Sequence, residues 1–378
     1  MDEPASFVEA PGSDISGHPF TMQFEITSRC NLRCTHCYDE SESHKDMPLS
    51  QVKSVIERLL GFCRRWKRTP ILWLTGGEPT LHHHFWQILD YIETQKSGTQ
   101  VALLSNGINL TSDMVDALTD YPALQYIQIS IDGACAETHD AIRGTGSFDK
   151  ATEALKLLAS TPIETHIHYV VHKKNYHDAF KMTDLARVLQ ADVLTVTRLV
   201  PWGRGKDLFQ HMLSPEQVYT LFRKLSDDFD AISSESPPRP HIARSRCDWP
   251  VIYSDPSTPE ALTKNGSRCC AIHSYINVTE TGDVYPCRRL PITIGNILTQ
   301  DLSQIWQHPL LWKLRQKDKF VQGKCRDCYF CVKAPEVCSG GASCIAYAVY
   351  NDPFQPDPQC PVTPSEGPAS LGSVSGDP

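Results

Sequence analysis

"CNLRCTHCYDE", residues 30–40, places three cysteines at 30, 34 and 37. A structural zinc site takes four ligands, and this stretch offers three thiols. It follows "MQFEIT" (22–27), which reads as a first strand. In parallel α/β architectures the loops after the strands carry the active site. Short thiolate-rich loops of this kind hold iron–sulfur clusters. Three thiolates on a four-iron cluster leave one iron open, so the missing ligand marks the working position.

Outward from this loop the chain alternates. "LSQVKSVIERLLGFC" (49–63) repeats apolar residues at helical spacing, with Ser50 as the expected N-cap. "ILWLT" (71–75) predicts a buried strand. Helix, strand, helix and strand follow in "FWQILDYIETQ", "VALLS", "SDMVDALTD" and "YIQISI". "FDKATEALKLLAS" predicts a helix, "THIHYVV" a strand, "YHDAFKMTDLARVLQ" a helix and "DVLTVTRLV" a sixth strand. Strands alternating with helices imply parallel pairing and right-handed crossovers. The expected fold class is therefore α/β, a partial (β/α)6 TIM-like barrel over 21–230. Residues 1–20 read as an N-terminal arm. Residues 231–268, rich in Pro and Ser, read as a linker or covering segment. The Gly, Ser and Pro of 364–378 predict a disordered tail.

Composition narrows the classes. A formal net charge of −8 argues against a nucleic-acid partner bound through phosphates. No apolar run is long enough for a membrane span. "MDEPASFVEAPGSDISG" has no basic or apolar region of a secretory signal, so a cytoplasmic location is expected. Fifteen cysteines without an export signal favour metal ligation over disulfides. Cys63 and Cys135 stand apart from the others and read as small buried hydrophobes. "LHHH" (81–84) cannot aim three adjacent histidines at one ion, so it reads as a solvated helix start.

C-x3-C-x2-C after a first strand resembles the radical S-adenosylmethionine (AdoMet) enzymes, and "CNLRCTHCY" is close to the form of the subgroup with extra C-terminal clusters. The resemblance implies that Cys30, Cys34 and Cys37 hold a [4Fe-4S] cluster whose open iron chelates the methionine moiety of AdoMet. Reductive cleavage then gives a 5′-deoxyadenosyl radical that abstracts hydrogen. "TGGEP" (75–79) is the second mark, and by position Gly76, Gly77 and Glu78 meet the methionine amino group. Glycines at such a turn let backbone approach a ligand closely. "LSNG" (104–107) and "SIDG" (130–133) match later strand ends, which implies cofactor contacts from Asn106, Ser130 and Asp132. Arg143 in "IRG" and Arg198 in "RLVPWGRG" are candidates for the cofactor carboxylate or the substrate.

The cysteine-rich end, 269–363, resembles the SPASM extension, which binds two auxiliary clusters. By position, one would take Cys325, Cys328, Cys338 and Cys360. The other would take Cys269 or Cys270, or both, with Cys287 and Cys344, and Cys247 is a candidate for a remaining place. Spacing leaves Cys331 or Cys338 as the third ligand of the first set. Cys338 is preferred because "CSGG" matches the family's Cys-x-Gly-Gly signature.

SPASM enzymes mostly modify ribosomally made peptides, so the expected activity is that of a peptide maturase, an oxidoreductase that cross-links or alters side chains. Sulfatase maturation fits less well, because Arg288 stands after Cys287 where that group places an Asp. A cofactor-biosynthesis enzyme acting on a tetrapyrrole or other small molecule is the alternative. A plain iron–sulfur electron carrier would have no need of "GGEP" and an open iron. The resemblance also implies a reductant such as flavodoxin or ferredoxin. The arm before the first strand is too short for a leader-recognition domain, so a separate leader-recognition protein is expected if the substrate carries a leader. The general acid or base is not identifiable from the sequence.

Overall fold

Phe20, Met22, Phe24 and Ile26 are all buried along β1 (Phe20–Thr27), the strand from which the sheet grows in both directions. The computed structural model describes residues 18–39, 44–235, 240–243, 273–335 and 338–362. In one direction β2 (Pro70–Gly76), β3 (Gln100–Ser105), β4 (Leu124–Ser130), β5 (Glu164–Val171) and β6 (Val193–Arg198) follow in chain order, every pair parallel. The crossovers carry α1 (Leu49–Arg65), α2 (Phe85–Thr94), α3 (Ser112–Leu118), α4 (Ala136–Arg143), α5 (Ser147–Leu158), α6 (Tyr176–Ala179) and α7 (Met182–Val188). This is the expected open six-stranded β/α arrangement. α8 (Pro215–Ser233) follows with a Ser214–Gln217 capping box.

The sheet is longer than the sequence implied. β7 (His241–Ala243) adds in parallel to β6, inside the segment read as a linker. On the other edge β8 (Tyr275–Val278) pairs in parallel with β1, and β9 (Asp283–Tyr285) and β10 (Gly295–Asn296) continue antiparallel. The C-terminal extension is thus hydrogen-bonded into the barrel sheet. Arg68 stitches this edge, donating to the carbonyls of His18, Pro19 and His273. α9 (Leu302–Trp306) packs on α1, with the Trp306 ring edge-on to Phe20 at 5.0 Å. α10 (Pro309–Arg315), α11 (Tyr329–Lys333) and α12 (Ser343–Tyr350) complete the described chain.

Several local expectations change. α1 starts at Leu49 behind Pro48, so Ser50 lies in its first turn and no side chain caps it. The single helix read over 176–190 breaks into α6 and α7 at Phe180–Lys181. α4 had no apolar periodicity to announce it; its buried residues are His139, Ile142 and Arg143. Cys63 is buried as expected, but Cys135 is exposed at the start of α4. His82 is not solvated: it is buried, and its Nε2 lies 2.9 Å from the carbonyl of Met47.

Arg198, expected in the site, is buried at the end of β6 and turned toward the C-terminal segment. Its guanidinium donates to Asp357 at 2.7 and 3.2 Å and to Gln359 at 3.3 Å. Asp357 also accepts from the Ala342 N–H at 3.1 Å, just before α12. Removing one partner of a buried pair costs about 3–5 kcal/mol. Arg198→Met is therefore expected to lower the chemical-denaturation midpoint sharply, and adding Asp357→Leu to recover much of it. An unchanged midpoint in the single variant would contradict this role.

Candidate active site

The loop that carries the three thiols is held by backbone on one side and by Asp46 on the other. Gly77 N–H donates to the Thr27 carbonyl at 2.8 Å and Glu78 N–H to the Arg29 carbonyl at 2.7 Å. A Cβ on Gly76 would sit 2.1 Å from the Thr27 oxygen, and one on Gly77 2.2 Å from the Arg29 oxygen. The two glycines are therefore required first by strand-end packing, and their open faces line the cavity. Thr27 Oγ1 donates to Asp46 at 2.6 Å. Burial opposes ionisation of Asp46, but the Thr27 hydroxyl and the His83 N–H outweigh it and bring the carboxyl down to about 2.

Cys30, Cys34, Cys37, Gly76, Gly77, Asn106, Ser130 and Arg143 line one cavity of about 590 Å3 at the carboxyl ends of the strands. That volume lies within the ordinary range for small-molecule sites. Glu78 and Asp132 do not line it; both are fully buried behind its wall. The Glu78 carboxylate accepts from Thr80 Oγ1 (2.7 Å), Ser105 Oγ (2.9 Å) and the Asn106 N–H (2.8 Å), tying the end of β2 to that of β3. Burial nevertheless pushes its pKa up.

Asp132 makes no opening for a ribose hydroxyl. Its Oδ2 accepts from Arg143 Nε at 2.6 Å and faces His36 Nε2 at 3.2 Å, and its Oδ1 accepts from the Val170 N–H at 2.8 Å. Burial disfavours the charged carboxyl, yet the Arg143 guanidinium holds it well below the usual carboxylate range. So anchored, Arg143 turns an N–H toward Cys34 Sγ at 3.8 Å. His36 is buried in the cavity wall, and burial lowers its pKa to about 4, so the imidazole is neutral at ordinary pH.

Residues the sequence reading missed complete the wall. Gln23, Gln128 and His168 project from β1, β4 and β5 into the cavity. Each strand carries several polar residues, so the sequence alone did not single these out. Arg204 Nε donates to the Cys34 carbonyl at 3.1 Å from the far side of the thiol loop. Arg288, from the C-terminal extension, donates to Thr75 Oγ1 (3.2 Å) and the Gly76 carbonyl (2.9 Å) and pairs with Glu25 at 3.3 Å. It also lines a second cavity of about 200 Å3, with Glu25, Asp39 and Glu280 and the rings of Tyr38, Trp202 and Tyr285.

The donor set suits a multi-iron cluster. Among the described residues no three His, Cys, Asp or Glu side chains converge tightly enough for a single ion, and a cluster spreads its thiolates more widely. Burial pushes the Cys30 thiol up to about 11 and raises Cys34 as well, an effect that a cationic group between them would oppose. In the extension, Cys325, Cys328, Cys331 and Cys338 share one buried core against which Cys360 packs. Cys287 and Cys344 belong to another. Cys247, Cys269 and Cys270 lie outside the described residues.

Comparison with known proteins agrees with this geometry. The pattern of the Radical SAM superfamily matches residues 24–186 and that of the SPASM iron–sulfur cluster-binding domain residues 269–329. An AdoMet-dependent heme synthase of Methanosarcina barkeri is 30% identical over 360 residues, covering 92% of this chain and 98% of that protein. The mycofactocin maturase MftC of Mycolicibacterium smegmatis is 30% identical over 359 residues, covering 90% and 82%. The solved structure of native anSMEcpe with bound AdoMet superposes with a TM-score of 0.69 at 20% identity, covering 89% of this chain and 93% of that one.

Two outcomes test the site. Gly77→Ala forces the thiol loop off its seat, and the reconstituted protein is expected to lose about a third of its iron, one four-iron cluster of three; full iron content would contradict the packing argument. Asp132→Asn keeps the bond from Val170 but strips Arg143 of its counter-charge. AdoMet is then expected to bind about ten-fold more weakly, roughly 1.4 kcal/mol, in equilibrium dialysis; an unchanged Kd would show that Asp132 does not position the site.

Proposed function

Because the chain belongs to the Radical SAM superfamily and carries its SPASM extension, we propose that it oxidatively modifies side chains of a ribosomally made peptide. The enzyme class and its cofactors, [4Fe-4S] clusters and AdoMet, follow from the family. When bound, the cluster and AdoMet supply the electron and the 5′-deoxyadenosyl radical that takes a hydrogen atom from the substrate. Cys30, Cys34 and Cys37 would hold that cluster. Asn106 and Ser130 would bind the cofactor's polar groups, and Arg143, aimed by Asp132, its carboxylate.

The second cavity carries the choice of substrate. It shares Tyr38, Asp39 and Arg288 with the cofactor cavity and so sits where a substrate would lie beside the cofactor. Its carboxylates, Glu25, Asp39 and Glu280, outnumber its one arginine, which Glu25 already pairs. A peptide can donate N–H groups to these carboxylates and lay side chains on Tyr38, Trp202 and Tyr285. A tetrapyrrole bearing several carboxylates would meet like charge there. The similarity to mycofactocin maturase and to the subtilosin biosynthesis protein AlbA of Bacillus subtilis supports the same reading.

The second reading, a tetrapyrrole-modifying enzyme, is favoured by the similarity to heme synthase along almost its whole length. Among the described residues no helix is long and apolar enough to cross a membrane. A one-electron reductant such as flavodoxin, and a separate protein that recognises a leader, are the partners this reading calls for.

With dithionite the protein is expected to cleave AdoMet to 5′-deoxyadenosine and methionine, and Cys34→Ala to abolish cleavage. Offered a ribosomally made precursor peptide that it accepts, the enzyme should release a product lighter by two hydrogens per event. An unchanged peptide, alongside turnover of an iron tetrapyrrole, would replace the first reading by the second.

A further inference from the structure

The peptide unit between Gly76 and Gly77 is held at both of its polar ends. Its N–H donates to the Thr27 carbonyl at 2.8 Å, and its carbonyl accepts from Arg288 Nη2 at 2.9 Å. The other arm of the same guanidinium, Nη1, donates to Thr75 Oγ1 at 3.2 Å. A rigid fork of donors suits two acceptors on successive residues. A peptide unit is planar, so fixing both polar ends fixes which way it faces. Between two glycines this matters most. Gly76 stands at a φ of 147°, and glycine reaches either sign of φ at little steric cost. Without Arg288, only the bond to Thr27 would resist rotation of this plane.

Arg288 is itself held. Glu25 pairs with it at 3.3 Å, and the other Glu25 oxygen accepts from Asn277 Nδ2 at 2.7 Å. The turn that carries it is closed by the Leu290 N–H, which donates to the Cys287 carbonyl at 2.8 Å. Leu290 lies in a core with Val200, Cys344 and Ile345, against which Cys287 packs. The next residue, Arg289, donates to the Arg198 carbonyl at 2.9 Å. Two consecutive arginines of the extension thus reach the ends of β2 and β6, strands of the barrel that do not pair with each other.

We propose that Arg288 is a positioning residue for AdoMet: it pins the Gly76–Gly77 peptide in the one orientation that the cofactor cavity requires. Both glycines line that cavity, so the barrel's cofactor site is complete only with the extension docked. The inference rests on the reading of this cavity as the AdoMet site.

The full chain, reconstituted anaerobically, is compared as wild type, Arg288→Met, Arg288→Lys and the double variant Glu25→Gln/Arg288→Met. The double variant leaves no buried carboxylate without its partner. AdoMet affinity is read by equilibrium dialysis and iron by chemical analysis. Arg288→Met is expected to weaken AdoMet binding about ten-fold at unchanged iron content. Arg288→Lys, which keeps one charged donor but no fork, should recover most of that loss. The double variant should bind as weakly as Arg288→Met, and it decides the matter if the single variant loses iron. Wild-type affinity in the double variant overturns the proposal, as does Arg288→Lys binding no better than Arg288→Met. Loss of about four iron from the double variant would show that Arg288 supports the thiol loop as a whole, and overturns the positioning role too. A wild type that binds no AdoMet overturns the reading of the cavity instead.

Discussion

The pairing of two backbone segments, Thr27–Arg29 after β1 and Gly76–Glu78 after β2, underlies the whole site. Two N–H to carbonyl bonds join them, and no side chain longer than hydrogen fits at either glycine. This contact sets where the thiol loop can run. Behind it, the buried Glu78 carboxylate carries the same constraint to β3 through Ser105 and Asn106. Burying a charge is costly unless its hydrogen bonds are met, and here several donors converge on it. Three strand ends are thereby locked before any ligand arrives.

Charge is distributed in two layers around the cavity. Asp132 lies in the outer layer and never reaches the ligand space, but it decides where Arg143 points and seats His36 beside the thiols. Arg143, Arg204 and Arg288 form the inner layer, drawn from α4, the segment after β6 and the C-terminal extension. A cluster held by three thiolates is anionic, and so is the AdoMet carboxylate, so cations on three sides favour both. Preorganised charges of this kind need not rearrange when a ligand binds.

The C-terminal extension completes the barrel instead of hanging from it. β8 extends the sheet from β1, Arg68 ties that edge, and the Arg198–Asp357 pair ties the other end of the barrel to the last described segment. Arg288 then reaches from the extension to the carbonyl of Gly76. The cofactor cavity and the second cavity share this arginine, so the surface beside the cofactor is built jointly by barrel and extension.

Much of this was legible in the residues themselves. Cys30, Cys34 and Cys37, crowded into a loop after a strand, carry the resemblance to the family, and the alternation of apolar strands with amphipathic helices dictates parallel pairing. The family motifs singled out Gly76, Gly77, Asn106, Ser130 and Arg143, and the fold brings all five to one cavity. Tertiary structure alone decided which way side chains turn. Glu78, Asp132 and Arg198 sit beside motif residues in the chain, yet each is drawn away from the cavity by a partner remote in sequence: Asn106, Val170 and Asp357. β7 and β8 were invisible because a strand of three or four residues carries too little periodicity, and only an open sheet edge gives it a place. Spacing left Cys331 and Cys338 both open as ligands, and the fold packs both into one buried core with Cys325 and Cys328. Spacing along a chain limits what residues can meet; the burial of charge and the pairing of strand edges settle which of them do.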